Sequence, residues 1–213
     1  MHERLKRRKN KGITFIGSGN YHYVTYLLMS EIKIPFTLIL FDHHTDMIKP
    51  IHESILSCGS WVLEAIDSIS MLKKVIIIGV RKDLTEAIPS CLNMKVSTVL
   101  KDEILQGNVL ENEKIKKDII SKIPTSNVYI SIDKDVLCNS DVLVNWDQGS
   151  MRLRQLMDIV QHINKYKNIY GVDVCGEYTF NPAEAFLLKS LKAKEMNNKA
   201  NSMILKELIK NNQ

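Results

Sequence analysis

Asp42-His43-His44-Thr45-Asp46 and Asp133-Lys134-Asp135 gather ionisable groups into two short stretches, each directly after an apolar run. The first follows Phe36-Thr37-Leu38-Ile39-Leu40-Phe41, the pattern of a strand buried on both faces of a parallel sheet. Carboxylates and imidazoles packed at the end of such a strand are costly to desolvate without a partner. One or two hard divalent cations are the simplest partner. Asp42, His44 and Asp46 alternate, so in extended backbone they point the same way. Taken alone, the stretch also reads as a polar loop with solvated histidines.

Groups of the same kind recur at other junctions. His22 closes a turn-rich break, Gly17-Ser18-Gly19-Asn20-Tyr21, and Glu177 follows the last apolar run. The elements that must position them alternate along the chain. Strands are expected at 12–17, 36–41, 74–80, 96–100, 127–132 and 169–174. Helices are expected at 24–32, 60–71, 84–88, 112–123 and 150–166, then at 183–194 and 202–210, with Asn-Asn-Lys-Ala-Asn breaking the last two apart. Such alternation predicts the α/β class: a single three-layer α/β/α domain over 12–213 with a mostly parallel sheet, preceded by a basic tail at 1–11. In these sheets, sites form outside the carboxyl ends of the strands. That rule brings four separate polar clusters to one edge.

Set side by side, the candidate metal ligands are His22, Asp42, His44, Asp46, Asp133 and Asp135. Two histidines with four carboxylates suit a pair of manganese-type ions, with two carboxylates bridging. The pattern resembles the arginase/agmatinase/formimidoylglutamase (ureohydrolase) superfamily. D-x-H-x-D matches Asp42 to Asp46, S-x-D-x-D matches Ser131 to Asp135, and a Gly-rich segment ending in histidine matches Gly17 to His22. The resemblance covers about residues 13 to 182 and implies an arginase-like fold and a binuclear manganese hydrolase of linear C–N bonds. It further implies that His22, Asp42, Asp46 and Asp133 hold one ion and that His44, Asp42, Asp133 and Asp135 hold the other. A water between two Mn2+ ions would have its pKa lowered toward neutrality and attack a guanidinium or amidine carbon. Asp46 would be catalytic by orienting that nucleophile, and Glu177 by gripping the cationic end of the substrate.

The chain departs from the family pattern in three places. Cys138-Asn139 stands where the family has aspartate-proline. Asp173-Val174-Cys175-Gly176-Glu177 is one residue longer than the usual spacing. Downstream of Asp46, Ser-Ile-Leu-Ser-Cys-Gly-Ser-Trp replaces the histidine proton shuttle and polar substrate contacts, leaving His43 and His52 as the nearby imidazoles. Trp146 reads either as a wall stacking on a planar substrate or as a packed residue of a helix-capping loop. It is carried forward as substrate-binding, with Glu177. Trp61 reads as core.

Composition narrows the alternatives. No apolar run is long enough to span a bilayer, and the charged N-terminus lacks a signal-peptide pattern, so no membrane partner and a cytoplasmic location are expected. Cys58, Cys91, Cys138 and Cys175 show no C-x-x-C spacing, which argues for a reducing compartment and against a zinc knuckle. The formal charge of +5 is concentrated in the first eleven residues, without the interleaved aromatics a nucleic-acid platform needs. The expected partner is a small guanidinium or amidine substrate, and the resemblance adds a homo-oligomer. Two other readings stay open: a catalytically silent metal-binding relative acting through structure or a partner surface, and an Asp-His-His phosphoesterase.

Overall fold

Six strands form, and the central ones come from apolar runs that bury both faces at once, whereas the edge strands at 13–15 and 96–100 are only partly buried. The structure, a computed structural model, describes residues 12–50, 52, 55–106 and 109–210; the basic stretch 1–11 lies outside the described residues. The strands are β1 (Ile13–Phe15), β2 (Phe36–Phe41), β3 (Leu72–Val80), β4 (Val96–Leu100), β5 (Asn127–Asp133) and β6 (Asn168–Cys175). They form one sheet in the order β1-β6-β5-β2-β3-β4, and every pairing is parallel. Helices α1 (Val24–Met29), α2 (Trp61–Ser68), α3 (Lys101–Gln106), α4 (Val109–Ser121), α5 (Leu153–Tyr166) and α6 (Leu188–Lys210) cover the sheet.

Strand period two assigns the faces. Ile39 and Phe41 of β2 point into a core shared with α4, α5 and α6, whereas Phe36, Leu38 and Leu40 point into a core shared with α1 and α2. The chain therefore runs outward from β2 to β4, then returns to place β5 on the other side of β2. The switch point lies between β2 and β5, where doubly wound sheets open a crevice at their carboxyl ends.

Two expectations fail. The C-terminal region is one helix from Leu188, not two broken at 197–201. Asn197 Nδ2 donates to Leu143 O and to Ala193 O one turn back on its own helix, and Asn201 bonds Lys134 and Glu177, so the side chains are held by tertiary partners without breaking the helix. The expected helix at 84–88 is instead a 3-10 segment, Lys82–Ala87. Among the described residues no helix is long and apolar enough to cross a membrane.

Candidate metal centre

Adjacent strands β2 and β5 end in the same local device. Asp42 follows β2, and its Oδ1 accepts the His44 N–H at 2.7 Å; Asp133 ends β5, and its Oδ1 accepts the Asp135 N–H at 3.0 Å. One carboxylate oxygen of each is thus held by the turn it starts. The Oδ2 atoms face His22 Nδ1, at 3.4 Å from Asp42 and 3.5 Å from Asp133. Asp46 Oδ2 approaches the same nitrogen at 2.9 Å and accepts the indole N–H of Trp61 at 2.6 Å. Asp46 is the one non-glycine residue with positive φ (51°) among the described residues, a left-handed conformation that aspartate tolerates and that marks functional turns.

His22 is fixed from behind. Its Nε2 lies 2.9 Å from Ser131 Oγ, whose hydroxyl donates to Asp173 Oδ1 at 2.7 Å; Thr25 Oγ1 donates to the same oxygen at 3.0 Å. With its proton committed to Asp173, Ser131 can only accept from His22, so Nε2 carries hydrogen and Nδ1 is the atom turned to the carboxylates. A backing relay of this kind orients a metal-binding imidazole. On the other side of Asp42, His44 Nδ1 lies 2.8 Å from Asp135 Oδ2 and 3.5 Å from Asp42 Oδ1. Asp135 Oδ1 accepts the His43 N–H at 3.1 Å, tying the two motifs together.

These distances resolve into ligand groups. His22, Asp42 and Asp46 offer donor atoms within 4.8 Å of one another; so do Asp42, His44 and Asp135, and so do His22, Asp133 and Cys175. Asp42 belongs to two of the three, one oxygen facing each histidine. Asp133 groups with His22 and Cys175, not with His44. The donor set fits dications: six buried or half-buried nitrogen and oxygen donors crowd one spot, and Asp42 Oδ2 is buried with no hydrogen-bond partner.

The electrostatics show the same need. Burial pushes the Asp42 carboxyl well up, and the charges of Asp135, Asp46 and Asp133 push it further. Asp133 is raised to about 6 by burial and then by Asp135. Burial would lower His22, but its hydrogen bond and charge contact with Asp46, with Asp133 and Asp173 behind, raise it to about 9. His44 is likewise opposed by burial and raised by Asp135. Protons are therefore retained where a cation would otherwise sit.

A cavity of about 330 Å³ opens above the cluster, lined by His22, His44, Asp46, Asp133, Asp135, Gly19, Cys58 and Trp146 among others. That volume holds a small molecule. Trp146 is 45% exposed and meets the His44 ring edge-on at 6.4 Å, so it forms a wall of the cavity rather than core. Its loop is tied by Asn145 to Thr179, by Asp147 to Arg81 and by Gln148 to Leu137 and Val142.

All six sequence-derived ligand candidates converge; Glu177 does not join them. Its carboxylate binds Lys134 Nζ at 2.6 Å and Asn201 Nδ2 at 2.6 Å, and it is not among the residues lining the cavity. His43 is buried beside Gly149 with Nδ1 unpartnered, and burial, then His44, lowers it to about 4. His52 is exposed. Sequence reasoning missed Asp173, Ser131 as a support, and the hydrogen bond from Trp61. A lone aspartate inside the run Val172-Asp173-Val174 was the available signal, since a carboxylate within a buried strand needs partners.

Comparison with known proteins agrees with this geometry. The structure resembles formimidoylglutamase from Bacillus subtilis (TM-score 0.71, 18% identity, covering 99% of this chain and 64% of that one). It also resembles a hypothetical agmatinase from Burkholderia thailandensis (TM-score 0.68, 18% identity, 98% and 62%) and arginase from Bacillus caldovelox (0.64, 17%, 92% and 69%). At these identities the likeness is one of fold. An uncharacterized protein of Thermotoga maritima is 34% identical over 167 residues, 78% of this chain and 58% of its own length, so the chain spans well under two thirds of that relative. The model of the arginase family matches residues 2–183. With the fold, the converging aspartate motifs and a family match over most of its length in agreement, the chain belongs to the arginase family.

Proposed function

We propose that this protein is a binuclear manganese-dependent hydrolase of linear C–N bonds acting on a guanidinium- or amidine-type substrate. One observation carries the reading: Asp42, buried and short of a partner, turns one oxygen to the His22 group and the other to the His44 group. His22, Asp42, Asp46 and Asp133 would hold one ion, and Asp42, His44, Asp133 and Asp135 the other. Four carboxylates would then cancel the four charges of two Mn2+ ions. The ions would supply Lewis acidity and an activated water, its pKa lowered from about 15.7 toward 7.

The chain's own residues do the rest. Asp46, clamped by Trp61, accepts the hydrogen of the attacking water and directs its lone pair into the cavity. The Ser131–Asp173 relay keeps His22 from rotating. Trp146 offers a flat face to a planar substrate, and Ile48, Leu84 and Ala87 line the apolar remainder of the cavity.

The test is metal content together with urea, ammonia or formamide release from arginine, agmatine, guanidino acids and formiminoglutamate. Two manganese ions per chain and turnover of one of these is the expected result; loading without turnover on any would overturn the assignment. A second reading, a metal-binding relative without turnover, is favoured by Glu177, whose carboxylate is occupied by Lys134 and Asn201 instead of facing the cavity.

A further inference from the structure

One donor beside the centre has no part in the chemistry above. Cys175 ends β6, is fully buried, and pairs in register with Asp133. Its Sγ lies 3.1 Å from Asp133 Oδ2, the same oxygen that faces His22 Nδ1. His22, Asp133 and Cys175 present three donors within 4.8 Å of one another. Spacings of about 3 to 3.8 Å are what ligands on bonds of about 2.0–2.3 Å must show, because they are edges of one coordination polyhedron. Asp42 Oδ2, buried and without a hydrogen-bond partner, lies 3.4 Å from the same nitrogen and is a fourth donor aimed at this place.

The fold delivers the sulfur here for identifiable reasons. Side chains alternate along β6, so Cys175 lies on the face of Asp173, which backs His22 through Ser131, while Val174 packs into the opposite core. Gly176 then lets the strand end approach β5. Its φ is +89°, and a Cβ there would lie 2.5 Å from Asp133 Oδ1 and 2.8 Å from Lys134 N, so an L side chain would push Cys175 out of reach.

We infer that Cys175 is a metal ligand, and that the His22 half of the centre is a sulfur-containing site selecting a zinc-class dication over manganese. The His22 half adds a sulfur to an imidazole and the carboxylates of Asp42, Asp46 and Asp133, whereas Asp42, His44 and Asp135 on the other half offer nitrogen and oxygen alone. The centre is then heterobinuclear. The step is ligand exchange without redox change: a water ligand leaves the incoming metal as the sulfur takes its place, and the S–H proton passes to solvent. This inference rests on the binuclear reading and changes the identity of one of its two ions.

Cobalt(II) loading of the full chain tests it, because a sulfur ligand produces a charge-transfer band in the near ultraviolet and nitrogen or oxygen ligands do not. Two cobalt ions per chain with that band are expected; the band should vanish in Cys175→Ser and persist in Cys58→Ser. In competition, zinc preference over manganese at one of the two sites should fall about 10- to 100-fold in Cys175→Ser. If Cys175→Ser does not fold, a Cys58→Ser/Cys91→Ser/Cys138→Ser variant, whose only thiol is Cys175, must keep the full band. Two cobalt ions bound with no sulfur band, or a band lost with Cys58, overturns the inference and leaves the binuclear reading standing. No cobalt bound at all removes both.

Discussion

Two buried charge clusters meet at the end of β5, and they are built on opposite principles. Lys134 is fully buried, yet its ammonium is answered by Glu177 Oε1 at 2.6 Å and Asn201 Oδ1 at 3.1 Å, and Asn201 also donates to Glu177. One cation, one anion and one amide close the set. The neighbouring residues, Asp133 and Asp135, join a cluster of four aspartates and two histidines. Even with both imidazoles protonated that cluster keeps an excess of negative charge, and Asp42 Oδ2 keeps no partner. A buried pair that satisfies itself is scaffold, here pinning the D-K-D turn to β6 and α6. A buried cluster that cannot satisfy itself is a socket for something positive.

The contrast makes Asp42→Ala the most damaging change to the socket. Metal content by mass spectrometry should fall from two ions per chain to none, because Asp42 is shared by a ligand group around His22 and the one around His44. Retention of either ion at full occupancy would separate the groups and end the shared-ligand account.

Glu177→Ala probes the other cluster and should do the reverse. It leaves the Lys134 ammonium buried and under-partnered, at a cost of about 3 kcal/mol in denaturant unfolding, the lower end for a broken buried pair because Glu177 is partly exposed. Metal content should stay at two. A variant of unchanged stability that instead loses substrate binding would return Glu177 to the substrate role the family resemblance implies.

Asp42→Asn sharpens the contrast further. It removes one surplus negative charge but keeps an oxygen for the His44 N–H, so the metal-free protein should gain about 1–2 kcal/mol while manganese no longer raises its melting temperature.

The mildest test is pH. In the metal-free protein Asp133 is raised to about 6 and His22 to about 9, both above their unfolded values. The folded state then binds more protons than the unfolded state, first between about 4 and 6 and again between about 6.5 and 9. Contributions from both groups are complete below those windows and are lost as pH rises through them. The chelated protein should therefore melt at a lower temperature at pH 9 than at pH 6. Manganese-loaded protein should show the opposite slope over the same range, because protons compete with metal for the same donors. Parallel slopes in the two forms would mean that these groups do not bind the ion.

Much of this was readable before any coordinates. Phe36–Phe41 ends where its apolar run ends, because a strand buried on both faces shows itself as a nearly unbroken run. The six ligand candidates were found by type and by their place after strands. What escaped were partnerships across long sequence separations. Nothing local in Glu177 says that Lys134, forty-three positions earlier, will neutralise it, although a lysine between two aspartates just after a buried strand already required a counter-ion. Trp61 read as core by helical spacing, and it is core; its indole N–H on Asp46 is invisible to periodicity. Asn197 and Asn201 read as a break because asparagine competes for backbone groups, and only their tertiary partners, Leu143 and Glu177, show why the helix continues.

Everything turns on whether donors from the ends of β2 and β5, and from the turn after β1, share a pair of cations. Anomalous diffraction from crystals soaked in manganese answers that directly. The account predicts two peaks, one against His22 and Asp46 and one against His44 and Asp135, with Asp42 and Asp133 between them. A single peak away from Asp42, or no peak among these side chains, would contradict it.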